Sequence, residues 1–147
     1  MTWAARLALA VYLGGFGYGA VTHAADFVRF GWWPYQTGPA AFTLFWNMLV
    51  FLDAAVVALL LAGWRRAGLL LAVAVMVVDV AVNSYAVFAF DWTGFQSAVL
   101  VQAAFLGFIL GSVAFLWPGS AAAGRGEGAA GERGSAFEGD QDRARAG

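Results

Sequence analysis

The sequence has no cysteine, no lysine and a single histidine among its 147 residues. Without cysteine there is no disulfide, no thiolate ligand and no thiol nucleophile. One histidine, with no HExxH or paired-histidine spacing, argues against a metal site, and none is expected. Ser84 and Ser97 lack any nucleophile-elbow context. Phosphate cradles, haem pairs and dinucleotide motifs are also missing, so no cofactor is expected. Charge is scarce: 12% of residues are charged and the net charge is −1, which argues against nucleic acid as a partner. All eight cations are arginine, and alanine and glycine abound, the composition of a GC-rich bacterial genome.

Apolar residues are present in surplus. They make up 62% of the chain, against about 45–50% in a soluble domain. A core this small cannot bury them, so lipid must solvate much of the surface. Four apolar runs, about 3–23, 40–64, 67–90 and 95–117, each reach the length of about 20 residues that a helix needs to cross a bilayer. They do not alternate as barrel strands do, and only helices would satisfy their backbone groups in lipid. The expected fold is all-α: a four-transmembrane-helix bundle over residues 1–117, followed by a tail over 118–147. The tail mixes Gly, Ala, arginine and acids with one aromatic residue, Phe137. It buries too little to offset its chain entropy and is expected to be disordered. The first run is read as a span rather than a cleaved signal peptide, because it is long for one and its glycines look like packing residues.

Orientation follows from the arginines. Arg6, Arg65, Arg66 and the four tail arginines fall on one side, and only Arg29 on the other. The positive-inside rule puts both termini in the cytoplasm of a bacterial inner membrane. Trp3, Trp64 and Trp117 fall at the inner boundaries, and Trp32, Trp33, Tyr35 and Trp92 at the outer ones, where amphipathic rings prefer to lie.

Helices in lipid associate through close backbone approach and hydrogen bonds. Gly15 and Gly19 on the first helix have GxxxG spacing, as do Ala103, Gly107 and Gly111 on the fourth. Ala54, Ala58 and Ala62 repeat it on the second. All are expected at helix contacts.

The polar residues within the spans are the candidate site. Asp53 and Asp79 fall near the midplane, where a carboxylate costs about 2.5–3.5 kcal/mol to insert. They are expected to turn inward and meet, with a proton or a bridging donor between them. Asn83 lies one turn from Asp79 on the same face. Asn47, Thr43, Gln96 and Gln102 lie in the outer half. His23 extends the glycine face of the first helix, and Asp26 follows within reach if the helix continues. These groups outline a polar-floored pocket in the outer half, which the FGWWPY loop would cover. Interhelical glue is the alternative role for each of them.

The stretches HAADFVRFGWWPY, FWNMLVFLD and MVVDVAVNSYA resemble a group of small, uncharacterised four-helix bacterial membrane proteins over residues 1–117. That resemblance implies four helices and no particular activity. Four helices with midplane acids are also loosely similar to the EXPERA proteins, which include sterol isomerases. Those rely on glutamate as well as aspartate, whereas this chain has no glutamate before Glu127. The expected function is to bind a lipophilic small molecule or to serve as an accessory membrane subunit, without enzymatic activity. The alternatives are a proton-linked transporter or channel acting as an oligomer, and a membrane enzyme acting on a lipid or isoprenoid. Expected partners are the bilayer, a lipophilic molecule, and a second copy or another membrane protein.

Overall fold

Thr2 starts the first helix: its side-chain oxygen accepts the Ala5 N–H at 3.2 Å, satisfying one of the donors that a helix start leaves free. From there the chain forms four helices, α1 (Trp3–Phe30), α2 (Ala40–Leu61), α3 (Arg65–Phe90) and α4 (Gln96–Leu116), with a 3-10 turn, Thr93–Phe95, leading into α4. The structure, a computed structural model, describes residues 2–118. The disordered tail expected over 118–147 lies outside the described residues, apart from Pro118, which is in a turn.

Each helix is long and apolar enough to cross a membrane. Their outer faces carry Val11, Val28, Phe51, Leu70, Phe88 and Leu100, all exposed. Apolar surface on every helix of the bundle suits lipid and not water. Within the bundle, Tyr12, Phe16, Val56, Leu69, Ala72 and Ile109 are buried.

Several boundaries differ from those expected. The first helix runs on to Phe30 rather than stopping at His23. Asp26 and Arg29 lower the hydropathy of that stretch but do not break a helix. The break comes at Gly31, whose φ of +86° suits a residue without Cβ. Arg65 and Arg66 form the first turn of α3 rather than a link. The reversal before them uses Gly63 at φ +83°, so α2 ends at Leu61, short of Trp64. The fourth helix starts at Gln96 and ends at Leu116, because Thr93–Phe95 form the separate turn.

Sequence neighbours pack side by side, and a thinner α1–α4 seam closes the ring. The seam is made by Tyr12 against Phe108, by Phe16 against Phe105, and by the Tyr12 hydroxyl, which donates to the Ile109 carbonyl at 3.0 Å and lies 3.3 Å from Ser112. That polar contact lies apart from the groups expected in the outer half.

The small-residue faces divide. A Cβ at Gly15 would meet the Phe105 ring, and one at Gly19 would meet the Asp53 carboxyl. A Cβ at Gly107 or Gly111 would meet nothing within 4 Å, and both residues are exposed. Their expected role in packing within the bundle is corrected: α4 turns Ile109, Ser112 and Leu116 inward, which leaves the glycines on its outer face. Ala54, Ala58 and Ala62 are likewise exposed, because α2 buries Asp53, Val56 and Leu60 instead.

Candidate functional site

The buried polar side chains extend from the middle of the bundle toward the end that carries the 31–39 loop, called here the loop end. Thr43, Asn47, Asp53, Asp79 and Asn83 are all buried. Ser112, at the opposite end, is the exception among the buried polar residues of the four helices.

Asn83 is the hub of one group. Helical spacing puts it a turn beyond Asp79, and its amide donates to Asp79 Oδ1 and to Gln102 Oε1, both at 3.0 Å. Its own oxygen accepts the Trp46 indole N–H at 2.9 Å. Residues from α2, α3 and α4 are thereby joined inside the bundle. A buried amide with its donors and acceptor engaged holds a single geometry.

Tyr35, in the loop, is the hub of a second group. Its hydroxyl donates to Asp26 Oδ2 at 2.6 Å and lies 2.8 Å from His23 Nδ1. His23 ends the span expected for α1, and Asp26 comes from the stretch by which α1 exceeds it. Burial, then the hydrogen bond to Asp26 and that carboxylate's charge, hold the Tyr35 phenol well above its ordinary value of 10.0. Asn47 fixes the Tyr35 backbone from both sides. Its Nδ2 donates to the Tyr35 carbonyl at 2.8 Å and its Oδ1 accepts the Tyr35 N–H at 3.4 Å. Nδ2 also donates to the Thr43 carbonyl at 2.6 Å. With no exposed surface, Asn47 serves as a clamp for the loop rather than as a group open to a ligand.

Asp53 stands apart from both groups. Its carboxyl occupies the space beside the bare Cα of Gly19, so the GxxxG glycine makes room for an acid rather than for a helix backbone. It lies within electrostatic reach of Asp79. The side chain is 6% exposed and forms no hydrogen bond among the described residues. Yet no sealed side-chain nitrogen or oxygen there lacks a partner, so the Asp53 carboxyl keeps an accessible edge. Arg6, Arg29, Arg65 and Arg66 lie near helix ends, away from it.

Between the two groups a cleft of about 320 Å³ is lined by Pro34, Tyr35, Gln36, Thr37, Trp46, Trp92 and Phe95. Three of its rings stack: Trp46 on Phe95 at 5.6 Å and 17°, and Trp92 on Phe95 at 6.1 Å and 27°. Gly38, at φ +106°, passes beneath Trp92, where a Cβ would come within 2.8 Å of the indole. The cleft is thus built from a loop, a helix and the α3–α4 link.

The structure therefore brings together Asp79, Asn83 and Gln102 in one group and His23 and Asp26 in another. Asn47 braces the second group, and Asp53 lies near the first. Sequence reasoning did not give Tyr35 or Trp46 a role in the site. Tyr35 was visible only as an interfacial ring in the loop expected to cover the pocket. Among the described residues, no three His, Asp or Glu side chains are grouped to hold a metal ion. No protein-family model, curated protein or solved structure matches the chain.

Proposed function

We propose that this chain is a non-enzymatic, multi-pass protein of a bacterial plasma membrane that binds a lipophilic small molecule at its loop end. Both termini face the cytoplasm, and the loop end faces outward. The excess of arginine at the opposite end supports that orientation.

The observation that carries the proposal is the cleft. Ligand sites are concave and mainly apolar, with a few fixed polar groups. Here stacked aromatic rings form the wall, and the polar residues Gln36 and Thr37 line its edge. The wall is braced from behind, since Trp46 is tied through Asn83 to Asp79 and Gln102. A ring-bearing or branched apolar molecule of the outer leaflet suits such a surface by stacking, and it reaches the cleft without crossing the bundle.

Native mass spectrometry of the protein purified from bacterial membranes tests this. The expected result is a discrete small-molecule adduct, weakened at least tenfold in the Trp92→Ala/Phe95→Ala variant and kept in Gly107→Leu. Wild-type spectra carrying only generic phospholipid, unchanged in the double variant, would contradict the proposal.

A further inference from the structure

Tyr35 presents its ring to the cleft and its hydroxyl to α1, where the contacts serve no purpose in binding an apolar molecule. Asp26, Tyr35 and His23 form a continuous hydrogen-bonded row, with separations of 2.6 and 2.8 Å. All three side-chain types transfer protons. Tyr35 has one hydroxyl proton, and it is directed to Asp26. The bond to His23 must then be donated by the ring, from Nδ1–H, which leaves the lone pair of a neutral imidazole on Nε2.

Of the row's two residues on α1, His23 lies nearer the middle of the helix. Gly19 is one helical turn from His23 on the same face of α1, and the Asp53 carboxyl fills the side-chain space of Gly19. A rise of about 6 Å along α1 separates Gly19 from His23, and bridging water would carry a proton across that interval. Asp53 is more than nine-tenths buried, without a hydrogen-bond partner among the described residues, and keeps an accessible edge. Asp79 lies within its electrostatic reach. Two carboxyls within electrostatic reach of each other inside a membrane favour a state in which at least one of them is protonated. The other route out of the bundle, through Asn83, Gln102 and Trp46, consists of amides and an indole, which do not relay protons at neutral pH.

We infer that Asp26, Tyr35 and His23 form a proton-transfer chain linking the loop-end surface to the Asp53–Asp79 carboxyl pair. In the outward step, the Asp53 proton passes through water to His23 Nε2. The Nδ1 proton passes to the Tyr35 oxygen, and the Tyr35 proton passes to Asp26. Asp53 is left as carboxylate, His23 and Tyr35 remain neutral, and Asp26 releases the proton to bulk water. The chain resets when Nε2 gives up its proton to water and Nδ1 takes one up in exchange, and the Tyr35 hydroxyl turns back to Asp26. The inward step is the reverse. Asn47 acts as a positioning residue, because it holds the backbone from which the Tyr35 hydroxyl is aimed. This inference stands whether or not the cleft holds a ligand.

Infrared spectroscopy of the full chain in lipid nanodiscs tests it. The protonated-carboxyl band is assigned by its loss in Asp53→Asn and Asp79→Asn, or by its isotope shift after ¹³C-aspartate labelling if those variants do not fold. Its hydrogen–deuterium exchange is then timed after transfer to D₂O. The expected result is exchange slowed at least tenfold in Tyr35→Phe and in His23→Gln, and unchanged in Trp92→Ala/Phe95→Ala. Wild-type exchange rates in both Tyr35→Phe and His23→Gln would overturn the chain, and so would the absence of any protonated-carboxyl band. The adduct measured by native mass spectrometry is a separate readout, so failure of ligand binding and failure of proton transfer are distinguishable.

Discussion

The carboxyl of Asp53 fills the space in which residue 19 would carry its Cβ, and residue 19 is glycine. An acid from the middle of α2 is thus accommodated by a missing side chain on α1. Gly19→Ala should force one of the two apart and destabilise the bundle by about 1–3 kcal/mol, the usual cost of overpacking. Unfolding in mixed micelles titrated with SDS measures it. Combining Gly19→Ala with Asp53→Ala should return part of that loss, with a coupling of roughly 0.5–3 kcal/mol. Strictly additive effects would place the two residues out of contact.

The remaining GxxxG glycines should behave differently from one another. Gly15→Leu drives a side chain into the Phe105 ring and should cost about 1–3 kcal/mol. Gly107→Leu and Gly111→Leu project from the outer face of α4 and should leave stability within about 0.5 kcal/mol of wild type. The same SDS titration distinguishes them.

That contrast shows where the sequence was legible and where it was not. The four spans could be read because apolar runs of bilayer length are a one-dimensional signal. Asp79 and Asn83 could be paired because i,i+4 spacing on a helix fixes a shared face. The spacing of Ala103, Gly107 and Gly111 is just as regular, but which face of α4 turns inward depends on Ile109 and Ser112 meeting Tyr12, a contact between distant parts of the chain. α1 ends seven residues beyond the point that hydropathy indicates, because Asp26 and Arg29 lower hydropathy without breaking the helix. The role of Tyr35 is hidden for the same kind of reason. Its partners are far enough along the chain that no local pattern links them, and its residue type alone describes an interfacial ring. Asn47 could be read as polar and inward, but its grip on a loop backbone required the loop to be in place.

Asn47→Ala removes both hydrogen bonds to the Tyr35 backbone and leaves buried polar groups without partners, at about 1–3 kcal/mol each. The 31–39 loop should loosen while the helices persist. Amide hydrogen exchange should then rise at Tyr35 and its loop neighbours, with the protection of α2 and α3 kept. Unchanged exchange at Tyr35 would show that the clamp contributes little.

Tyr35 also sets an alkaline limit. Its phenol is held above the ordinary 10.0 by burial and by Asp26, so folding favours the neutral form. The resulting stability is fully present below pH 10 and is lost as pH rises through the folded-state value. Ultraviolet titration of wild type minus Tyr35→Phe should show a tyrosinate signal appearing well above pH 10. Stability measured by SDS titration should fall over the same range in wild type and fall less in the variant. A Tyr35 signal at the ordinary tyrosine value would contradict the partly buried hydrogen bond to Asp26.

The meeting of the two midplane acids is tested most directly by infrared difference spectroscopy of their carboxyl bands. Wild type, Asp53→Asn and Asp79→Asn are compared in nanodiscs across a pH series. The account predicts that removing either carboxyl changes both the frequency and the titration of the one that remains. If each remaining band keeps the frequency and midpoint it has in wild type, the two acids do not share a compartment, and the proton route ending on them is wrong.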